Sequence, residues 1–555
     1  MILKYDHNLF LSLVGVLSSL PLFVGAQNVP DILEPKKTTD ENYLPDFSYA
    51  GYRFGEEAIP DTTGKTVLAT DYGVIADDGL DDSKALLEAL DATKEMEGPV
   101  ILQLPKGRII LSDILYLERS NFVLLGAGSG LEGTEIYCPR PMMYMDDPEM
   151  LTELREYLLQ FDKRQREPEN NIDLPFSQYA WSGGMIWTQI PGERVKSYLG
   201  KYDVPQNVLA EVSKGQRGEF EMTASEIKNL QVGDVVELQL FNKTGENSAA
   251  IIEDLYKGTD VKVGSHHWEF PTLPIVRQQV EIAKISENTI TIKSPLTISI
   301  RPEYEAQLVE WKHLKEVGIE HLRITFPDVP YVAHHVERGF NGIFLTRLFN
   351  SWVNDVVIHN ADSGILTEEI ANVSILDIVT EGANKAHYTV AMAGVHNVLV
   401  ENLKVFNNAV HPLSFNTFST KNVYKDCEVF VNPVLDQHSG ANHQNLFDNI
   451  TVHLNPLEDS SYPLFAGGGA PYWKPSHGAY STFWNIEVQL QSGLDSDNDV
   501  LLNGMQDGVS ARVIGVHGNH PFSVEYGPGS LIEMTNESME EIPSLYEYQL
   551  KKRLD

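Results

Sequence analysis

The sequence predicts an all-β fold, a parallel solenoid with one short helix near its start and a β-rich insertion. Three observations carry that prediction. Segments such as "GIEHLRITF", "SWVNDVVIHN", "ANVSILDIVT", "HNVLVENLKVF", "KNVYKDCEVF", "LFDNITVHL" and "STFWNIEVQL" are self-similar. Asn-Val pairs begin at Asn372, Asn397 and Asn422, at even spacing. Within these segments apolar residues such as Val398, Val400 and Leu403 keep a strand-like pattern rather than a helical one. One such unit cannot bury its own apolar face, so coils must stack into a continuous core. Stacked Asn372, Asn397 and Asn422 then form an asparagine ladder inside a turn, a structural role.

From the start of the chain, residues 1–26 read as an export signal. Lys4 precedes the apolar run Leu9 to Ala26, and Val24 and Ala26 provide the small residues of a cleavage site before Gln27. Pro21 and Gly25 sit where a spanning helix should continue, so no membrane insertion is expected, and the location expected is periplasmic or secreted. Residues 27–66 are aperiodic and read as an extended leader. Over 67–140 a short strand leads into "DYGVIADDGLDD", and a helix begins near Asp82. Ala85, Leu86, Ala89 and Leu90 make its apolar face, Asp81 or Asp82 can cap it, and Gly98-Pro99 stops it. "VILQLPKGRIIL" and "NFVLLGAGSG" follow as strands with glycine turns.

Gly73, Asp78, Gly79, Asp81 and Asp82, then Pro105 and Gly107, make a glycine- and aspartate-rich turn and a later strand ending in P-x-G. This stretch resembles the N-terminal cap of the pectate-lyase-like right-handed parallel β-helix family, and the resemblance implies a right-handed solenoid. It says little about reaction, because many activities share the fold.

Over 141–300 the repeat is lost. "MLTELREYLLQFDKRQRE" is helical in pattern, and "SEIKNLQVGDVVELQLFN" and "VEIAKISENTITIKSPL" read as antiparallel strands turning at Gly233-Asp234 and Glu287-Asn288. A small β domain is expected from about Glu193 to Ile300. The main solenoid occupies 301–535, and "SLYEYQLKKRL" makes a C-terminal helix within 536–555 that covers the last coil or one side of it. Cys138 and Cys427 lie in apolar runs and read as buried free thiols.

The net charge of −36 argues against nucleic acid or an anionic membrane as partner, yet leaves room for an anionic oligosaccharide in a local basic cleft. Protein partners are not specified by the sequence. Histidines concentrate between His334 and His477. The Asn372-to-Asn397 step carries His387 to Pro412, beside His411, and the next coil holds Asp436, His438 and His443. Coils stack about 4.8 Å apart. His387, Tyr388, His411, Asp436 and His438 therefore share one edge of three coils, flanked by His334, His335 and Arg338 from an earlier one. A lone histidine in such a fold is more often packed than catalytic; the cluster points the other way. Its spacing matches no usual zinc motif, so no metal and no cofactor are expected.

Histidine and tyrosine beside a cation suit elimination from a uronate. His387 or His411 would act as base, Tyr388 as acid and Arg338 as carboxylate clamp, and these roles are exchangeable; His438 belongs to the same catalytic set. The glycine-rich loop Tyr462 to Gln489 adds Trp473, Lys474 and His477, which can bind sugar faces and anionic groups or simply pack. With His334, His335, His443 and Arg338 they complete the substrate-binding candidates.

The "GGGAPYWKPSHG" loop and the C-terminal helix resemble those of secreted β-helix proteins of marine Bacteroidetes that process algal polysaccharide, among them the ulvan oligosaccharide dehydratases. That resemblance implies loss of water from a nonreducing-end glucuronate or iduronate next to sulfated rhamnose. A polysaccharide lyase expels a sugar by the same chemistry. A glycoside hydrolase would use paired carboxylates, for which Asp362, Asp377, Glu381 and Asp436 are available. A non-catalytic binder would need no such histidine cluster.

Overall fold

The computed structural model describes residues 29–34, 39–165, 176–196, 199, 206–243, 250–257, 263–264, 273–303, 305–438, 440–491 and 499–555. The expected export signal lies outside them. The chain winds as a right-handed parallel β-helix. Its long sheet stacks Val317–Thr325, Leu348–His359, Ala371–Glu381, Leu399–Val405, Val423–Lys425, Leu446–Leu454, Thr482–Leu490 and Arg512–Gly518, all in parallel. A second sheet, which carries the histidines, runs in the order Leu115–Leu117, Ile186–Thr188, Asn341–Thr346, Ser363–Glu368, Ala386–Met392, Ala409–Asn416, Leu435–His438 and Gly467–Gly468.

Each coil buries its inward side chains completely. Val373, Ile375, Val398, Val400 and Leu403 are solvent-inaccessible, each contributing about 1.5–3 kcal/mol. Phe415, Phe447 and Phe483 stack in succession with ring centroids 4.7 and 5.1 Å apart. Cys138 and Cys427 are buried free thiols, as expected.

The coil length is not constant. Register places Asn350, Asn372, Asn397, Lys421 and Gln444 in one row, and all five have left-handed backbone, with φ between 45° and 60°. The expected step therefore holds from Asn372 to Asn397, but the next two, to Lys421 and then to Gln444, are each shorter than the one before. Asn422 does not join Asn372 and Asn397 in the ladder. It sits one position on, where its amide donates to Asn445 Oδ1 at 3.0 Å. A left-handed residue costs about 1–2 kcal/mol, least for asparagine, and the row persists because it bends every coil at one corner over a packed core. Asn372 also donates through Nδ2 to the carbonyls of Tyr49 (2.9 Å) and Gly51 (3.2 Å).

Those contacts show that the leader is no free extension. Phe47, Ala50 and Tyr52 are buried, and residues 39–55 run as a strap along the long sheet. The C-terminal helix, Leu545–Leu554, lies on the same side rather than over the last coil. Asp448 receives its first turn, accepting from Ser544 Oγ (2.6 Å), Leu545 N (2.8 Å) and Tyr546 N (3.0 Å), and a carboxylate there complements the positive end of the helix dipole. At the opposite end of the solenoid, the cap helix spans Ser83–Thr93. Asp81 accepts from Ser83 N at 2.8 Å, while Asp82 ties the turn to the next strand through Ile75 N and Ile110 N.

The insertion contains a closed six-stranded antiparallel barrel, Val208–Gly215, Glu221–Ser225, Val235–Phe241, Val276–Ser286, Thr289–Ile292 and Glu305–Glu310. Two features differ from the sequence expectation. The barrel closes with a strand beyond residue 300, because Glu305–Glu310 must pair with both Val235–Phe241 and Val208–Gly215. Ile186–Thr188 is a solenoid strand inside the stretch where the repeat is lost, too short to show a period. A buried ionic network joins barrel to solenoid. Glu369 lies within 2.9 Å of Arg194, 3.3 Å of Arg277 and 3.9 Å of Arg347, and Arg277 also meets Glu237 at 3.2 Å. Among the described residues no helix is long and apolar enough to cross a membrane.

Candidate active site

Register settles what the histidine spacing left open. Tyr388, not His387, is the partner of His411 one coil on, and Asn416 is the partner of His438. Both steps, Tyr388 to His411 and Asn416 to His438, are shorter than the step from Asn372 to Asn397, so the three histidines share an edge without forming a single column. Tyr388 is the centre of a ring stack. Its ring is 4.1 Å from His387 and 5.0 Å from His411, each tilted by 27°. His411 and His438 rings are 4.5 Å apart.

His334 and His335 come from the connection before Asn341–Thr346. Neighbouring residues in extended chain point apart, but His335 has left-handed backbone (φ 71°), and the two rings come to 3.7 Å. His334 Nε2 lies 3.0 Å from His387 Nε2. Trp181 and Phe176 wall the group, each with its ring 4.7 Å from His335. The connection is held by two carboxylates. Glu337 Oε1 accepts from His335 N at 3.1 Å, and Asp362 Oδ2 accepts from Gly339 N and Phe340 N at 2.9 and 3.0 Å.

Asp436 organises the other end. It is buried, and its Oδ2 receives Ser414 Oγ at 2.5 Å and lies 3.2 Å from His411 Nδ1 and 3.3 Å from His438 Nδ1. His411 Nε2 is buried with no hydrogen-bond partner among the described residues. Gly468 stacks on His438, and a Cβ there would overlap the imidazole.

Burial dominates the electrostatics. It lowers His387 well below the usual histidine range, with His334 and His411 adding to the effect, and takes His334 down to about 3 and His335 to about 2. These imidazoles are neutral. Burial, with Asp362 nearby, pushes Glu337 up to about 8. Burial would also raise Asp436, but the His411 and His438 imidazoles outweigh it and hold the carboxyl well below its usual range.

The remaining sequence candidates fall elsewhere or into other roles. His443 stands in a different row, Ala371–His396–Thr420–His443, with Nδ1 3.0 Å from Ala441 O, and faces a cavity of about 230 Å³ on the barrel side. His477 is fully buried with Nε2 2.8 Å from Tyr526 Oη, a packing role. Trp473 is buried in a short turn, Pro471–Trp473. Burial lowers His438, with a small addition from Lys474, whose Nζ donates to Ser476 Oγ at 2.7 Å and lies 3.5 Å from Asp507. The supposed long loop is in fact partly solenoid, since Gly467–Gly468 and Thr482–Leu490 are strands. Arg338 lies beside Asp362, and with Lys385 it lines a water-sized recess of about 20 Å³. Asp377 is an exposed left-handed residue within Ala371–Glu381 that accepts from Asn402 Nδ2 at 2.5 Å, and Glu381 pairs with Arg323 at 2.8 Å, so neither flanks the histidines.

Sequence reasoning missed Glu337, Trp181, Phe176, Ser414, Lys385 and Gly468. It also found no metal-ligand spacing. Yet His334, His335 and His387, and separately His411, Asp436 and His438, each bring three ligand atoms within 4.8 Å of one another. Coil stacking assembles those sets from distant positions, which a linear motif cannot register.

No protein-family model and no curated protein matches the chain. Among solved structures it is similar to the tailspike protein gp49 of Pseudomonas phage LKA1, at 12% identity over 84% of this chain and 80% of that one, TM-score 0.45. It is also similar to a family 28 exopolygalacturonase of Yersinia enterocolitica (11% identity, 86% and 80% covered, TM-score 0.35). A DFA-IIIase of Arthrobacter chlorophenolicus A6 without its lid matches at 10% identity, 85% and 94% covered and TM-score 0.37.

Proposed function

We propose that the protein is a secreted carbohydrate-active enzyme that carries out β-elimination on uronic-acid-containing oligosaccharides. The observation that supports it best is the Asp436–His411–Tyr388 arrangement. An ionised buried carboxylate sits at His411 Nδ1, Nε2 has no hydrogen-bond partner among the described residues, and a phenol is stacked on the same imidazole. Nδ1–H facing Asp436 fixes the tautomer in which Nε2 is the basic nitrogen. His411 Nε2 takes the C5 proton of the uronate, the C5 electron pair forms the C4–C5 double bond, the C4–O bond breaks, and the Tyr388 hydroxyl protonates the leaving oxygen. Lys385, whose charge is felt at His334, supplies positive charge near the histidines for the uronate carboxylate.

A dehydratase acting at the nonreducing end needs a site closed on one side. The insertion reaches the glycine-rich segment here, with Ala479 N donating to Leu255 O and Gly264 N to Lys474 O, both at 2.8 Å. This favours loss of water over internal chain cleavage. The sequence resemblance supplies the finer substrate, an ulvan oligosaccharide with a terminal glucuronate or iduronate. Hydrolysis by paired carboxylates is less favoured, because Glu337 and Asp362 are engaged in holding the His334–Phe340 connection by backbone N–H groups.

The test is incubation with saturated uronate–rhamnose sulfate oligosaccharides, following ultraviolet absorbance and mass together. Rising absorbance with loss of one water supports the dehydratase. Rising absorbance with chain cleavage makes it a lyase, and cleavage with water gained and no absorbance overturns elimination.

A further inference from the structure

We infer that His334, His335 and His387 form a site for one first-row transition metal ion of the zinc type, with one ligand position that the three imidazoles do not fill. The three imidazoles offer ring nitrogens within 4.8 Å of one another. The 3.0 Å between His334 Nε2 and His387 Nε2 is close to the roughly 3.3 Å that two nitrogens take when bound at about 2.0–2.1 Å in tetrahedral geometry. Three nitrogen ligands with one open position is the composition of a catalytic rather than a structural zinc site, and all-imidazole ligation suits zinc, cobalt, nickel or copper better than calcium or magnesium.

Two further observations point to a ligand. His387 is completely buried, and its Nδ1 has no hydrogen-bond partner among the described residues but lies 3.4 Å from Glu337 Oε1. An ion on Nε2 places the proton on Nδ1, and a shift of a few tenths of an ångström makes the carboxylate–histidine–metal contact that orients such ligands. The backbone at His335 is held at φ 71°, a conformation unusual for a non-glycine residue, and its effect is to bring two consecutive imidazoles to the same side.

That the open position receives the uronate carboxylate rests on the elimination reading above. Binding of the ion does not. The full-length chain is stripped with a chelator, dialysed and titrated with Co²⁺ in the absence of substrate, following visible absorption, with Zn²⁺ as competitor and elemental analysis for stoichiometry. The expected result is one ion per chain with the intense spectrum of low-coordinate cobalt, displaced by Zn²⁺. Affinity should fall more than about 100-fold in His334→Ala and in His387→Ala, a loss beyond that of removing an outer-shell contact, and be retained in His438→Ala. Circular dichroism confirms that each variant is folded. No saturable cobalt spectrum in the wild-type chain overturns the inference. So does a spectrum kept in folded His334→Ala or His387→Ala, or one lost only in His438→Ala, which places the ion on the Asp436 group. Metal bound without any uronate product leaves this site standing and removes the elimination reading. Product formed by chelated chain that binds no cobalt does the reverse.

Discussion

Asp436→Asn is the most discriminating single substitution. One oxygen of Asp436 gathers the Ser414 hydroxyl and the Nδ1 atoms of His411 and His438. The amide is nearly isosteric, so the coil keeps its packing, but the charge goes and the two imidazole contacts become neutral. A contact to a charged group is worth about 1.5–3 kcal/mol and a neutral one about 0.5–1.5 kcal/mol, so the two together lose about 2–3 kcal/mol. If that loss falls on the transition state, where His411 carries the abstracted proton, the rate drops by about 30- to 160-fold. The assay is the initial rate of ultraviolet absorbance from the conjugated product, at saturating and at limiting substrate. The drop should appear in kcat with KM little changed. A folded variant that retains a third or more of the wild-type kcat, or that loses activity only through KM, would show that Asp436 merely packs against the histidines.

Three other outcomes are expected. Gly468→Ala should lower kcat by at least about tenfold at a modest stability cost, because its Cβ overlaps the His438 ring and must push it aside; unchanged kinetics would remove His438 from the site. Val400→Asp should destabilise the fold by several kcal/mol in urea melts, since Val400 is fully buried and no partner is at hand for the charge. For Glu369, burial works to raise the carboxyl, but Arg194, Arg347 and Arg277 outweigh it and hold it well below the usual carboxylate range. Its depressed folded value means that the carboxylate stabilises the fold above its unfolded value, and that this contribution is lost as pH falls below it. Urea melts between pH 6 and pH 3 should show this slope in the wild type and a shallower one in Glu369→Gln; parallel slopes would mean the arginines do not act on it.

The solenoid was legible because its signal is repeated in every coil. Val398, Val400 and Leu403 show it locally, and the cap helix showed itself through Ala85, Leu86, Ala89 and Leu90. What failed was the assumption of a constant period. A left-handed corner residue sets where each coil turns, and asparagine is only its commonest occupant. Lys421 and Gln444 fill the same position and gave no mark in the sequence. A small error in register is enough to put His411 opposite Tyr388 instead of His387. The histidines themselves were visible as a concentration. Glu337 stood close behind His335 and could have been noticed, but Trp181 and Phe176 lie in a stretch without periodicity, where nothing in the sequence indicates proximity. Trp473 and His477 misled for the opposite reason, since residues suited to sugar binding are equally suited to filling a core.

The strap and the C-terminal helix hold one another. Phe47 N donates to Gln549 Oε1 at 2.8 Å, Tyr546 Oη to Ala50 O at 2.9 Å, and Arg553 reaches Ser48 Oγ at 2.9 Å, across nearly the whole length of the sequence. From Asn341 onward, stacked coils are contacts between near neighbours in the chain, which form quickly and in order. This one closure has the longest loop the molecule offers. Coils can add one upon another as the polypeptide emerges, while the strap waits unlatched until the final helix arrives. The side of the long sheet carrying Leu399, Val423, Leu446 and Trp484 stays bare during that interval. It is the surface on which a chaperone, or a second unfinished chain, would find the protein before it is complete.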